Sequence, residues 1–179
     1  RSGHDPLSIA VESGSVAITK MLVEAKAALN IQFEECPPAL IQATLAGQTE
    51  IVEILVKAGA NTDIDFGDNL TALYHAVRNL ENETLHVLVE AGADVHVVDE
   101  EGDTPILLAV HRCDVEAAEC LIKGGARVNT KDREGHGLLT LAVRGACPDM
   151  VKLLVASKAQ LDVADRSGET PLIYAAIDD

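Results

Sequence analysis

Adjacent carboxylates are the residues of this chain whose types and spacing come nearest to acid–base chemistry. Glu34 lies beside Glu35, and Glu100 lies beside Glu101. Both pairs fall in solvated turns, where no wall would desolvate them and shift their pKa values. The run from Asp99 to Asp103 carries acids that could ligate calcium, but it lacks the long acidic loop that chelates this ion. We therefore predict neither catalysis nor cation binding at these carboxylates.

Histidine supplies a second set of candidates, for metal binding and proton transfer. The histidines show no metal-type spacing with one another or with the cysteines. They are His4, His75, His86, His96, His111 and His136. The chain also has no glycine-rich phosphate loop and no serine nucleophile elbow. We therefore predict a protein that is not an enzyme and that holds no cofactor and no metal.

The composition narrows the classes of partner. Of the 179 residues, 47% are apolar and only 2% are aromatic, so the core must be aliphatic and no ring platform is left for single-stranded nucleic acid. Fourteen Lys and Arg against 29 Asp and Glu give a net charge of −15, which is the wrong sign for a phosphate-binding surface. No apolar run approaches the ~20 residues of a membrane span. No signal peptide opens the chain. We expect no nucleic acid, no membrane insertion and a cytoplasmic location, with the nucleus as the alternative.

An internal repeat must position any site, because it covers the whole chain. The segment Pro6-Leu7-Ser8-Ile9-Ala10 recurs in related form every 33 residues, without insertion or deletion. The copies start at residues 6, 39, 72, 105, 138 and 171. A second anchor, as in Gly92-Ala93-Asp94-Val95, keeps the same period. Each copy then contains two short helical patterns joined by turn residues.

The predicted helices alternate in two series. First helices are expected over 5–13, 38–46, 71–79, 104–112, 137–145 and 170–177. Second helices are expected over 15–25, 48–58, 81–91, 114–124 and 147–157. One such copy cannot bury its own apolar face, so neighbouring copies must stack and share a core.

The four cysteines fit this arrangement as isolated residues. They are Cys36, Cys113, Cys120 and Cys147, with no C-x-x-C pair, and we predict that all four are reduced thiols. Cys120 falls on an apolar stripe and is expected in the core. Cys113 and Cys147 occupy neighbouring turn positions in successive copies, where a disulfide is geometrically disfavoured.

The 33-residue unit resembles the ankyrin repeat, which reads T-P-L-x-x-A, then a helix, then G-A-D-V, then D-x-x-G-x-T-P. The best copy runs from Asp99 to Val128 and contains Thr104-Pro105. The resemblance implies an all-α solenoid of stacked helix-turn-helix units with β-hairpin-like loops. It implies a single domain over 1–179, with repeats over 1–32, 33–65, 66–98, 99–131, 132–164 and a partial copy over 165–179.

The chain departs from the family pattern in two respects. The histidine that usually follows T-P-L is absent from every copy. The glycine that usually ends the first helix is replaced by Leu80, Cys113 and Ala146. Those positions favour a left-handed backbone, so each side chain there should cost about 1 kcal/mol.

The family resemblance also implies a binding face, because ankyrin partners usually dock on the concave face made by hairpin tips and first helices. The corresponding partner-binding positions are Glu34, Glu35, Asp68, Leu70, Arg78, Asn79, Glu100, Glu101, Asp103, His111, Arg112, Arg133, His136 and Arg144. By resemblance alone, Asn30 and Asn129 match the position at which asparagine is hydroxylated in this family.

The charges on this face form two groups. The tips of the second to fourth copies carry eight acids and no Lys or Arg. These acids are Glu34, Glu35, Asp65, Asp68, Asp99, Glu100, Glu101 and Asp103. The first-helix ends carry Arg78, Arg112 and Arg144, a ladder that could grip an acidic or C-terminal group.

We therefore predict a non-catalytic module that binds a protein or peptide with a basic segment. The acidic tips could instead serve solubility alone. The alternative function is an internal spacer of a larger ankyrin-containing scaffold, channel or ubiquitin ligase. We expect a monomeric fragment of a larger protein in either case.

Overall fold

The computed structural model describes residues 5–67 and 70–177. Within these residues the protein is helical and has no β-strand, only the isolated bridges Phe33–Cys36, Asp65–Thr71 and Lys131–Gly137. The chain divides into two compact units, unit 1 ending at Asp94 and unit 2 beginning at Val95. The single domain expected over 1–179 stays a prediction.

The helices alternate as the repeat predicts. Unit 1 contains α1 (Pro6–Glu12), α2 (Val16–Glu24), α3 (Ala39–Leu45), α4 (Thr49–Lys57), α5 (Ala72–Asn79) and α6 (Asn82–Glu90). Unit 2 contains α7 (Pro105–His111), α8 (Val115–Lys123), α9 (Leu138–Arg144), α10 (Pro148–Ala156) and α11 (Pro171–Ile177). Every helix begins one residue inside its predicted range, and all but α5 and α11, which end where predicted, also end one residue inside it, because those ranges included the caps.

Capping residues determine where several helices begin. Asp5 accepts hydrogen bonds from the N–H groups of Leu7 and Ser8 at the start of α1. Thr71 and Asp114 accept from the third residue beyond them at the starts of α5 and α8. Each cap satisfies a backbone donor that a short helix cannot satisfy internally.

The turn after each first helix requires a left-handed residue. The positions 14, 47, 80, 113 and 146 all have positive φ, and they hold Gly14, Gly47, Leu80, Cys113 and Ala146. The last three have φ of 62°, 56° and 49°, which confirms the left-handed backbone expected there. The left-handed backbone costs conformational free energy at a residue with a side chain, but stacking of the copies fixes the chain direction at every turn and so maintains it.

Small and branched residues at one phase of the repeat form the core. Ala10, Ala43, Ala76, Ala109 and Ala142 are at most 3% exposed. Their small side chains let the first helices approach, so that α1 packs on α3, α3 on α5, α7 on α9 and α9 on α11. The second helices form a parallel layer, with α2 on α4, α4 on α6 and α8 on α10.

The first helix of the sixth copy, α11, is more exposed than its counterparts. Leu172 in α11 has the same phase as Leu7, Leu73 and Ile106, which are at most 1% exposed, but it is itself 75% exposed. The second helix that follows this phase in the other copies is not among the described residues.

Side chains at one further position connect successive copies. Asn30 Oδ1 accepts from the Asn61 N–H at 2.9 Å, and Asn129 Oδ1 accepts from the Gln160 N–H at 2.9 Å. Asp63 does the same for the Asp94 N–H. These bonds give Asn30 and Asn129 a structural role, and their hydroxylation stays a prediction.

Cys113 and Cys147 form a disulfide, so the expectation of four reduced thiols was wrong for this pair. Their Cα atoms lie 6.0 Å apart, within the usual range for a disulfide. The stacking of copies brings these turns together although 34 residues separate them. Cys36 and Cys120 are free and buried, and the predicted core position of Cys120 is confirmed.

A group of polar side chains, here called the α9–α11 network, joins α11 to the preceding copy. Tyr174 Oη donates to Asp165 Oδ2 at 2.7 Å, and the Arg144 guanidinium lies 5.3 Å from the centre of the Tyr174 ring. His136 Nε2 lies 3.6 Å from Asp165 Oδ2, and His136 Nδ1 lies 2.9 Å from Asp132 Oδ2. The network therefore includes Asp132, His136, Arg144, Asp165 and Tyr174.

The network shifts the acidities of its members. Burial raises the pKa of Asp132, but hydrogen bonds from the side chain and backbone of His136 outweigh it and leave the pKa below 3.8. The hydrogen bond from Tyr174 lowers the pKa of Asp165. The same bond raises the pKa of Tyr174. Both carboxylates are thus held in the charged form.

Reduction of the disulfide is expected to destabilise unit 2. Chain-entropy reasoning for a loop of this length gives a loss of about 3–4 kcal/mol in the free energy of unfolding. Urea unfolding followed by circular dichroism, with and without reductant, measures this loss. A Cys36→Ala/Cys120→Ala variant should keep the response, and a Cys113→Ala/Cys147→Ala variant should lack it. Alkylation of all four thiols in denaturant without reductant would contradict the pairing.

The α9–α11 network is expected to make stability depend on pH in the acid range. Because the folded protein binds the Asp132 proton more weakly than the unfolded chain, this stabilisation is present above pH 3.8 and is lost as pH falls through the lower folded pKa. Asp132→Asn should cost about 1–3 kcal/mol at neutral pH, and the difference from wild type should shrink below pH 3.8.

Denaturation curves across the acid range test this expectation, with Asp162→Asn as the control because Asp162 is exposed. A difference between Asp132→Asn and wild type that stayed constant with pH would show that Asp132 does not contribute as a charged group.

Candidate protein-interaction surface

The acidic tip of unit 2, defined as Glu100, Glu101 and Asp103, is the most charged turn among the described residues of the predicted face. The Asp99 N–H donates to the Asp103 carbonyl at 3.1 Å, and the Asp103 N–H donates to Asp99 Oδ1 at 2.9 Å. This closed turn leaves Glu100 and Glu101 exposed. The turn therefore presents two carboxylates to solvent from a fixed backbone.

Asp103 differs from its two neighbours because it is half-buried. Its pKa is raised, first by burial and then by the charge of Asp99, while His111 and Arg133 act in the opposite direction. A cation that docked at this turn would favour the charged form of Asp103.

Arg133 lies at the next tip and is exposed. Its Nη2 donates to the Glu100 carbonyl oxygen at 3.3 Å. The two tips of unit 2 are thus linked through a backbone oxygen, and the Glu100 carboxylate is not the acceptor in this contact.

The first-helix ends of unit 2 hold two arginines of the predicted ladder. His111 and Arg112 end the first helix of the fourth copy and are exposed. Arg144 is also exposed at the end of α9, but its Nη1 lies 3.1 Å from His136 Nε2 and its guanidinium faces the Tyr174 ring. Internal contacts therefore occupy Arg144, which weakens it as a ligand for an acidic partner.

Two predicted contact residues are not exposed. The side chain of His136 is only 8% exposed, because it is enclosed between Asp132 and Asp165. Leu70 is 6% exposed, and its N–H donates to the Gly67 carbonyl at 3.0 Å. Their expected positions on the exposed tips were wrong.

The remaining described residues of the predicted partner-binding set lie in two parts of unit 1. Glu34 and Glu35 are exposed in the turn closed by the Phe33–Cys36 bridge. Arg78 and Asn79 are exposed at the end of α5. Asp68 lies outside the described residues. Beside Arg78, burial and the arginine charge lower the pKa of His75.

Two side-chain groups in the described residues could hold a metal ion. They are Asp99, Glu101 and Asp103, and Asp132, Glu134 and His136, with ligand atoms within 4.8 Å of one another in each group. Hydrogen bonds of the turn already engage Asp99 and Asp132, so neither group requires an ion. The predicted absence of a metal is not tested by this geometry.

A groove in unit 1 was missed by the sequence reasoning. It lies between Glu12 at the end of α1 and Glu35 in the following hairpin, with Val11 and Leu45 among its walls. Glu12 is absent from the predicted set because the repeat phase singled out only tips and later first-helix ends. The sequence feature that could have indicated this groove is the acidic residue Glu12 at the end of the mostly apolar helix α1.

The helices in the described part of the chain are all too short or too polar to cross a membrane.

Comparison with known proteins agrees with the helix pairs. A family model described as ankyrin repeats (3 copies) matches residues 7–99 and 107–179, and one described as ankyrin repeats (many copies) matches residues 81–122. No curated protein matches the chain.

Among solved structures, the chain is similar to an ankyrin repeat domain from Acinetobacter baumannii AYE. The two chains are 25% identical with a TM-score of 0.86, and the match covers 96% of this chain and 90% of that one. The predicted all-α ankyrin fold is thereby confirmed. With family models that match most of its length, the chain belongs to the ankyrin repeat family.

Proposed function

We propose that this protein is a non-catalytic interaction module that binds a protein or peptide partner with a basic segment. Ankyrin repeats are in general protein-protein interaction modules, and proteins of the family are typically not enzymes. The binding face in this proposal is formed by the hairpin tips and the first helices.

The acidic tip of unit 2 is the observation that carries the proposal. Glu100 and Glu101 are exposed on a turn whose backbone is closed by hydrogen bonds, so the backbone that carries them has little freedom to lose on binding. The charge of the whole chain is −15, which attracts a cationic segment from a distance and favours fast association at low salt.

The arginine ladder of Arg78, Arg112 and Arg144 is less well suited to binding an acidic partner. Arg144 is engaged by His136 and Tyr174, so an incoming carboxylate would have to compete with these contacts. Among the described residues, Arg133 donates to the Glu100 carbonyl and not to the carboxylates of Glu100 and Glu101, so a basic segment meets less competition there, which is why we favour it.

We propose a cytoplasmic location for this module. Cys36 and Cys120 are free, as is usual in reducing compartments, whereas a disulfide such as Cys113–Cys147 is rare there.

Charge reversal at the acidic tip is expected to weaken binding of a basic probe. Glu100→Lys/Glu101→Lys should lower the affinity for a fluorescent lysine-rich peptide on the order of tenfold at low salt and flatten the salt dependence. Adding Asp103→Lys should extend the loss. Fluorescence anisotropy across a salt series measures both quantities.

The matched control is Glu119→Lys/Asp162→Lys, which changes the net charge of unit 2 equally. Glu119 lies on second helix α8 and Asp162 near the end of the fifth copy, so neither belongs to the acidic tip. An equal loss in the control and the tip variant would reduce the effect to net charge. No binding of the peptide by the wild type would favour a spacer.

A further inference from the structure

A groove in unit 1 combines an apolar wall with two carboxylates. It has a volume of about 400 Å³ and lies between α1, the hairpin that follows α2, and α3. Leu45 and Ala46 supply exposed apolar surface, and Leu45 is 46% exposed, whereas Val11 lies buried behind them. Glu12 and Glu35 are exposed at its margins. No Lys or Arg is among the described residues that line it.

This lining matches one class of side chain. A long aliphatic stem covers apolar surface while its charged head stays near water, and a cationic head meets carboxylates at the margins through charge-assisted hydrogen bonds. We propose that the groove bounded by Glu12, Glu35, Leu45 and Ala46 binds a lysine or arginine side chain of the partner's basic segment. The inference rests on the proposed function and adds a specific contact in unit 1.

One uncharged polar side chain, Gln42, forms part of the wall. Gln42 lines the groove, and its Nε2 donates to Cys36 Sγ at 2.7 Å. Its Oε1 is buried and has no hydrogen-bond partner among the described residues. Gln42 is therefore held against Cys36 in the wall, and it brings no positive charge to the groove.

A second groove in the same unit provides the contrast. It lies between α4 and α6, has a volume of about 320 Å³ and is lined in part by Val56, Val87 and Glu90. Its wall also includes Lys57, whose Nζ lies 2.6 Å from Glu53 Oε2. The chain supplies a cation to that groove itself. The α1–α3 groove has acids and apolar walls without such a cation, so charge complementarity favours a cationic occupant from outside.

The experiment uses short peptides that differ in one side chain. The probe is an acetylated, amidated peptide with one lysine among leucine and glycine residues, and its matched partner carries norleucine, which keeps the stem and removes the charge. A third peptide carries arginine. Binding to the isotope-labelled full chain is followed by NMR. The lysine and arginine peptides should shift the amide signals of Val11, Leu45 and Ala46, and norleucine should lower the affinity about tenfold.

Variants then assign the contact to the carboxylates. Glu12→Gln/Glu35→Gln should lower the affinity for the lysine peptide about tenfold and leave the norleucine peptide unaffected. Glu24→Gln/Glu90→Gln changes the charge of unit 1 equally at exposed positions outside this groove and should leave both affinities unchanged. Circular dichroism confirms that both variants fold.

Three results would overturn the assignment: equal affinities of the lysine and norleucine peptides, equal losses in the two double variants, or shifts confined to other residues. If one of these occurs while reversal of the acidic tip still weakens the lysine-rich probe, the proposed function stands and only the groove assignment fails. If the tip variants also bind normally, the proposed function fails as well.

Discussion

The sharing of an apolar face between neighbouring copies is the constraint on which every other feature depends. A pair of helices of seven to nine residues cannot enclose its own side chains, so within each unit neighbouring pairs share one core. Within each unit, first helices pack on first helices and second helices on second helices. The alanine at the fifth position of each copy, as at Ala43 and Ala109, sets how closely they approach.

This constraint also fixes the turns. Each copy must reverse direction in the same few residues, so the residue after the first helix is left-handed even where glycine has been replaced by Leu80 or Ala146. The same periodicity brings Asn129 to the backbone of Gln160 and Cys113 to Cys147. Bonds between residues more than 30 positions apart are therefore neighbour contacts in this fold.

Polar residues are divided by the stack into two classes. Some, such as Glu100 and Glu101, remain exposed to solvent. Other polar residues contact side chains of the same or the adjacent copy, as Asp132 and Asp165 do with His136. One position of the repeat can thus differ in burial between copies, since Asp103 is half-buried and His136, 33 residues later, is buried.

The sequence by itself determined the family, the helix pairs, the left-handed turns and the acidic character of the tips, because these follow from local residue types repeated at a constant interval. Only the tertiary structure decided which polar residues are free. The burial of Leu70 and His136, the engagement of Arg144, the Cys113–Cys147 disulfide and the groove beside Glu12 depend on what the adjacent copy places opposite each side chain. A periodic pattern specifies that copies stack, but contacts between side chains depend on the particular residues that differ from copy to copy.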